Sequence, residues 1–230
     1  MDLITEYEEK IGYEFKNKSL LEQAFIHSSF ANETKLPPHS DNERLEFLGD
    51  AVLEVVSSDF LFRNYPDLPE GELTRMRAAL VCESSLAESA RELSLGKYLK
   101  LSIGEDKTGG RERPSVLSDA FEATIGAMYL DGGLENARSY IEKNVLTNID
   151  DKILYFDSKT ALQEVVQSWH SGALSYRVID EEGPSHKKIF TVEALVGENV
   201  IGTGKGNSKK NAEQEAAVDA LRALKEKGKI

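Results

Sequence analysis

The sequence predicts two domains in series. An all-α domain covers residues 1–146, a linker covers 147–157, and a small α+β domain of order α-β-β-β-α covers 158–226. Three observations predict this. The first part carries long amphipathic stretches at helical period and no convincing strand pattern. Past residue 157 the pattern changes to short runs rich in β-branched and aromatic residues, flanked by two helices. The charge changes too: residues 1–155 hold 17 basic against 29 acidic side chains, and residues 156–230 hold 11 of each.

Composition bounds the rest. A hydrophobic fraction of 40% over 230 residues is enough for real cores. No apolar run of about 18 residues free of charge is present, so no transmembrane helix is expected. The start, MDLITEYEEK, lacks the layout of a signal peptide, and the single cysteine, Cys82, has no partner for a disulfide. These point to a reducing compartment, the cytoplasm.

Taken in order, helical stretches run near 3–10, 18–30, 42–63, 71–80, 83–93, 114–130 and 134–146. Pro37-Pro38, Pro66, Pro69, Gly104, Gly109-Gly110 and Gly132-Gly133 punctuate them. TNIDDKILYFD at 147–157 breaks the pattern and reads as the linker, with Ile153, Leu154 and Tyr155 able to dock on a domain. Ser158 is placed as the N-cap of a helix over 158–170. Strands follow at 174–181, 188–196 and 200–204, with turns at Gly183-Pro184 and Gly197-Glu198-Asn199. An Ala-rich helix at about 208–226 closes a small sheet with two helices on one face.

The helix at 114–130 is apolar almost all round and carries two charges, Asp119 and Glu122, at i and i+3. Nothing basic in that stretch pairs with them, and burying like charges unpaired is costly. The stretch NERLEFLGDAVLEVV at 42–56 sets Glu43, Glu46 and Asp50 along one stripe. Packed together, the two helices present Glu46, Asp50, Asp119 and Glu122 to one point. With no Cys or His nearby in sequence, such an all-oxygen set suits Mg2+ or Mn2+ and argues against Zn2+. The plainer alternative is that these acids are solvated helix charges. That weighs most on Glu43 and least on Asp119 and Glu122, whose helix offers so little polar surface.

The net charge of −12 argues against a nucleic-acid partner until its distribution is considered. In the neutral second part Lys187, Lys188, Lys205, Lys209 and Lys210 cluster, and a local patch binds phosphate whatever the total charge.

Three strings resemble the ribonuclease III family: NERLEFLGDAVL at 42–53, LSDAFEATIGAMYLDGG at 117–133, and a C-terminal segment with GPSHKK at 183–188 and GKGNSKKNAEQEAA at 204–217. The last resembles a double-stranded RNA-binding domain. The resemblance covers the chain from about Ile11 to Leu224, in the order of a bacterial ribonuclease III.

The resemblance implies an endonuclease domain that hydrolyses double-stranded RNA with Mg2+, Mn2+ being able to substitute. Its products carry 5′-phosphate and 3′-hydroxyl ends, and processing of ribosomal and other precursor RNAs is expected. Glu46, Asp50, Asp119 and Glu122 become the metal ligands, with Asp50 and Glu122 catalytic. Glu43 and Glu70 become supporting acids. Phe47 becomes the knob of a homodimer whose two sites each cut one strand and leave a short 3′ overhang. In the RNA-binding domain Gln163 and Glu164 meet one minor groove and His186 the next, with Lys187 and Lys188 beside it. Ser208, Lys209 and Lys210 grip phosphates across the major groove. A weaker expectation puts Lys107, Arg111 and Arg113, on a Gly-rich loop, against RNA near the cut.

Other residues take structural readings. His27 is expected as a core or capping histidine, Trp169 and Tyr176 as packing residues, Arg75 and Arg77 as surface or salt-bridge residues, and Cys82 as an inert thiol. GTGKG at 202–206 lacks the spacing of a nucleotide-binding loop. Two further functions stay open: a double-stranded RNA-binding regulator that does not cut, disfavoured by the intact acids, and a helical metal-binding protein unrelated to RNA, disfavoured by the lysine cluster.

Overall fold

A computed structural model describes residues 2–168, 172–184 and 188–226. The chain divides into two units, residues 1–147 and 148–230. Among the described residues no helix is long and apolar enough to cross a membrane.

The first unit is helical: α1 (Leu3–Ile11), α2 (Lys18–Ala24), α3 (Ser28–Thr34), α4 (Glu43–Asn64), α5 (Glu70–Val81), α6 (Glu83–Glu92), α7 (Ile103–Lys107), α8 (Pro114–Gly132) and α9 (Leu134–Asn144). Local chemistry sets the ends. The Asp2 carboxylate accepts from the Thr5 amide and caps α1, which stops at Gly12 in the left-handed region, φ 74°. Pro114 starts α8, where its missing N–H costs nothing.

Helix α8 is the hub of this unit. Ala120, Phe121, Ala123, Ile125 and Ala127 are fully buried, so the helix is covered on nearly every side. Helices α2, α4, α6 and α9 pack around it. This is why its sequence lacks a polar face.

The single helix expected at 18–30 is broken into α2 and α3. Ile26 forms a parallel bridge with Lys100: the Lys100 amide donates to the Phe25 carbonyl at 2.8 Å and the His27 amide to the Lys100 carbonyl at 3.2 Å. Those backbone groups are lost to the helix, and the His27 ring restarts it by accepting from the Ser29 amide. The capping role expected of His27 is therefore seen.

The second unit comprises α10 (Ile149–Phe156), α11 (Ser158–Ser168), β1 (Leu174–Glu182), β2 (Ile189–Val196), β3 (Asn199–Gly206) and α12 (Lys209–Glu226). The segment expected as a linker thus contains a helix, and Leu154 of α10 packs on this unit's core. Ser158 does not cap α11 as expected. It is buried, and its hydroxyl lies within hydrogen-bond distance of the Tyr155 and Gln214 carbonyls, tying α10 to α12.

The sheet is antiparallel in the order β1-β2-β3, with Tyr176 opposite Ala194 and Val192 opposite Gly204. Leu162 and Val166 of α11 join Val192, Ala194 and the alanines of α12 in its core. The GTGKG run explains itself here. A Cβ on Gly202 would stand 2.4 Å from the Ala216 carbonyl oxygen, one on Gly204 2.2 Å from the Ala216 amide nitrogen, and one on Gly206 2.6 Å from the Ala212 amide nitrogen. Alternate glycines let the backbone of α12 lie directly on the strand.

Candidate active site and nucleic-acid interface

Helices α4 and α8 cross with their backbones touching. A Cβ on Gly49 would stand 1.8 Å from the Glu122 carbonyl oxygen, and one on Gly126 would stand 2.2 Å from the Leu45 carbonyl oxygen. Real side chains never come so close, so glycine on both helices is what permits the crossing. Gly49 lies between Glu46 and Asp50, and Gly126 lies one turn beyond Glu122. The contact therefore brings the two acidic stripes together.

The electrostatics agree with this grouping. Burial raises the Glu46 carboxyl to about 7, helped by Asp119, Glu43 and Asp50. Burial raises Glu122 to about 8, helped by Asp50, Glu46, Asp119 and Glu54. Asp119 also rises, mainly by burial; the Ser118 hydroxyl opposes the shift, Glu83 of α6 adds to it and His27 opposes it. Each of these carboxyls feels like charges on other elements, as groups sharing one site do.

The ion pairs of α4 divide its acids into two sets. Glu54 pairs with Arg77 of α5 at 2.8 Å, and Asp59 pairs with Arg63 at 2.8 Å and with Arg138 of α9 at 2.9 Å. Among the described residues Glu43, Glu46, Asp50, Asp119 and Glu122 form no ion pair at all. The unpaired acids are those at the glycine crossing. They do not form a tight cage: among the described residues no three acidic, histidine or cysteine side chains stand close enough together to hold an ion. The donor set is nonetheless all oxygen and anionic, which fits a hard divalent cation.

Other expected residues fall differently. Glu70 begins α5, is exposed, and accepts from the Thr74 hydroxyl at 3.0 Å. It lines a groove of about 360 Å³ with Asp59, Phe62, Leu73 and Arg77, and it is absent from the groups that perturb the carboxylates at the crossing. Phe47 is 79% exposed, and Val55 and Phe62 continue an exposed apolar stripe along α4.

Arg111 and Arg113, expected near the RNA, have partners within their own loop. Arg111 donates to the Gly96 and Leu99 carbonyls at 2.9 and 2.7 Å and pairs with Asp106, while Arg113 pairs with Glu105. Their donors hold the loop before α8 together, a structural role that the sequence did not show. Lys107 is exposed. Arg75 and Arg77 form ion pairs, as expected of them.

In the second unit, Gln163 is half-buried and Glu164 exposed on α11. The Ser208 hydroxyl oxygen accepts from the Asn211 amide at 3.2 Å, holding the first turn of α12, where Lys209 and Lys210 are exposed. Lys188 precedes β2. His186 and Lys187 lie outside the described residues, as does Trp169. Tyr176 packs against the core, with the Lys159 ammonium 4.9 Å from its ring centroid.

Gly49, Gly126 and Glu83 escaped the sequence reading. The two glycines had a visible signal: each interrupts a strong helical pattern at a cost of about 1 kcal/mol relative to alanine. Glu83 had none, because only the packing of α6 on α8 brings it near Asp119.

Comparison with known proteins fixes the class. A family profile described as Ribonuclease-III-like matches residues 17–149, and one described as a double-stranded RNA binding motif matches residues 158–224. Ribonuclease 3 of Bacillus cytotoxicus is 49% identical over 222 residues, covering 96% of this chain and 91% of the relative. Ribonuclease 3 of Bacillus cereus strain AH187 is 50% identical over the same shares of each chain. Two structures of the nuclease domain of ribonuclease III from Campylobacter jejuni match at 46% and 44% identity, with TM-scores of 0.57 and 0.59. They cover 61% and 64% of this chain and 97% of theirs, and one was described for flexibility in the region involved in dimer formation. The chain belongs to the ribonuclease III family, whose members are divalent-metal-dependent nucleases. The non-cleaving alternative finds no support among these relatives.

Two outcomes follow from the crossing and its charges. Gly49→Ala forces α4 away from α8 by on the order of an ångström, and displacement on that scale costs about 100-fold in rate. Duplex cleavage by a variant whose circular dichroism matches the parent should fall accordingly; cleavage at the parental rate would disconnect the crossing from the site. The second outcome concerns pH. Glu46 and Glu122 bind protons more tightly folded than unfolded, so their contribution to stability is complete below the ordinary value of 4.5 and is lost as pH rises through about 7 and about 8. A divalent cation favours the ionised forms. The rise in melting temperature that Mg2+ gives over chelator should therefore grow between about pH 5 and pH 9. A constant difference would remove these two carboxyls from the cation's site.

Proposed function

We propose that Glu46, Asp50, Asp119 and Glu122 hold the divalent metal, Mg2+ by preference, with which this double-stranded-RNA endoribonuclease hydrolyses its substrate. The observation that carries the proposal is the set of unpaired carboxylates gathered where two helix backbones touch. Bound there, a divalent cation lowers the pKa of water and stabilises charge developing on the phosphate.

The chain's own residues supply the rest. Asp50 and Glu122, on facing helices next to the contact, are the catalytic pair. Glu46 and Glu122 must give up their protons for the site to load, and Asp119 must ionise against the same surroundings. Glu43 and Glu70 are assigned supporting parts, Glu43 through its field on Glu46. Until neutralised, the site repels an RNA phosphate, so cation and substrate bind interdependently. The products then carry 5′-phosphate and 3′-hydroxyl ends. Family membership implies ribosomal and other precursor RNAs as substrates, and with the single cysteine this supports a cytoplasmic setting.

The second unit supplies affinity. Domains of this kind read A-form shape over about 16 base pairs, across two minor grooves and the phosphates between them. Gln163 and Glu164 face the first minor groove in this reading, and His186 and Lys187 are assigned to the second from sequence. Lys188, Lys209 and Lys210 meet the phosphates, with Ser208 fixing the amides at the start of α12.

Glu122→Gln keeps the size of the side chain and removes its charge. It should abolish most cleavage at ordinary Mg2+ while leaving duplex affinity intact, with partial rescue by high Mn2+. Lys209→Ala combined with Lys210→Ala should do the reverse, weakening duplex binding and flattening its salt dependence by roughly 0.7–0.9 log units for each phosphate left without a lysine. Filter binding and gel-resolved cleavage read both. Wild-type cleavage by a folded Glu122→Gln would refute the metal assignment.

A homodimer is proposed through the first unit. The exposed stripe of Phe47, Val55 and Phe62 supports it, because large apolar side chains are seldom left in water without a partner. Phe47→Ala should shift sedimentation toward monomer at micromolar concentration and lower activity with it. A parent chain that sediments as a monomer would end the proposal.

A further inference from the structure

Glu181 lies near the end of β1, directly opposite Phe190 of β2. Its two carboxylate oxygens hold lysines from different elements. Lys188 Nζ donates to Oε2 at 2.8 Å, and Lys209 Nζ lies 3.4 Å from Oε1. Both ammonium groups also stand over the Phe190 ring, 5.9 and 5.6 Å from its centroid. Lys188 precedes β2 and Lys209 opens α12, so one acid and one ring join the β1–β2 side of the sheet to the start of the last helix. The two lysines, Lys188 first, hold the Glu181 carboxyl below the ordinary carboxylate range. Lys205 and Lys210, by contrast, are exposed and form no ion pair among the described residues.

An acid on a surface that takes phosphates is unfavourable on charge alone, because it cancels one of the patch's positive charges. What it supplies is geometry. Two ammonium groups over one ring repel each other, and without a counter-charge between them they swing into solvent as independent flexible chains. Each ammonium has three donors, so one directed at Glu181 leaves two for phosphate oxygens. Fixing long side chains before binding removes an ordering cost that would otherwise weaken the complex.

We propose that Glu181 is a positioning residue that sets specificity, locking Lys188 and Lys209 at one separation that fits the regular phosphates of an A-form duplex. A flexible single strand adapts to lysines in any arrangement and gains nothing from the lock. The proposal rests on the RNA interface assigned above.

The test is fluorescence anisotropy on the full chain in chelator, so that nothing is cut. The probes are a blunt RNA duplex and a single-stranded RNA of equal length. Glu181→Gln should weaken duplex binding about threefold to tenfold, the scale of one or two side chains left unordered. Single-strand binding should stay level or tighten. Charge alone predicts the opposite for the duplex, since an acid has been removed. The same change in a Lys188→Ala, Lys209→Ala background should have no effect, because nothing is left to position.

The proposal is overturned if Glu181→Gln tightens both RNAs together, weakens both equally, or moves neither. If the double lysine variant weakens duplex binding while Glu181→Gln leaves the ratio unchanged, only the positioning role fails. If the double lysine variant itself binds the duplex like the parent, the interface reading fails first. Equal melting temperatures for the parent and Glu181→Gln keep a folding defect out of the comparison.

Discussion

The contact of Gly49 with the Glu122 backbone, answered by Gly126 against the Leu45 backbone, is the constraint on which the first unit depends. Most helix pairs are held 8–10 Å apart by interlocking side chains, and repacking those side chains adjusts the distance. Here main chain meets main chain, which leaves no such adjustment. Carboxylates one residue from the contact, such as Asp50, inherit its stiffness. The buried surface of α8 then follows from the geometry: a helix approached so closely by α4, and covered by α2, α6 and α9, has no side left for polar residues.

Charge is organised around the same point. Elsewhere on α4 the acids have partners: Arg77 for Glu54, and Arg63 with Arg138 for Asp59. At the crossing they have no ion pair among the described residues, and burial with mutual repulsion raises the proton affinity of Glu46 and Glu122. An unneutralised cluster of this kind is a cost to the fold. Its presence beside a stretch where acids are paired is what supports the proposal that it binds a cation.

Much of this was legible in the sequence. The acidic stripes showed because helical period places residues three and four apart on one face, and because the stretch around Asp119 and Glu122 offers almost no other polar group. The order of strands and helices in the second unit showed through its change of composition at Ser158. What escaped depends on partners distant in sequence. The break at Ile26 exists because Lys100 bridges to it, and no local signal announces that. Helix α10 was hidden by acids and asparagine at its start, which read as a linker until Leu154 docks on the core. The engagement of Arg111 and Arg113 depends on carbonyls and carboxylates of a loop whose path only the fold defines.

The glycine strand and alanine helix of the second unit carry a thermodynamic consequence. Where β3 meets α12, close backbone approach takes the place of side chains, so that seam itself adds little hydrocarbon to the core. Small units hold only a few kcal/mol in reserve. A ligand that binds only the folded form then becomes a substantial part of the unit's stability by mass action. RNA would act on this unit as a structural component as well as a substrate, and its melting midpoint would rise with duplex concentration.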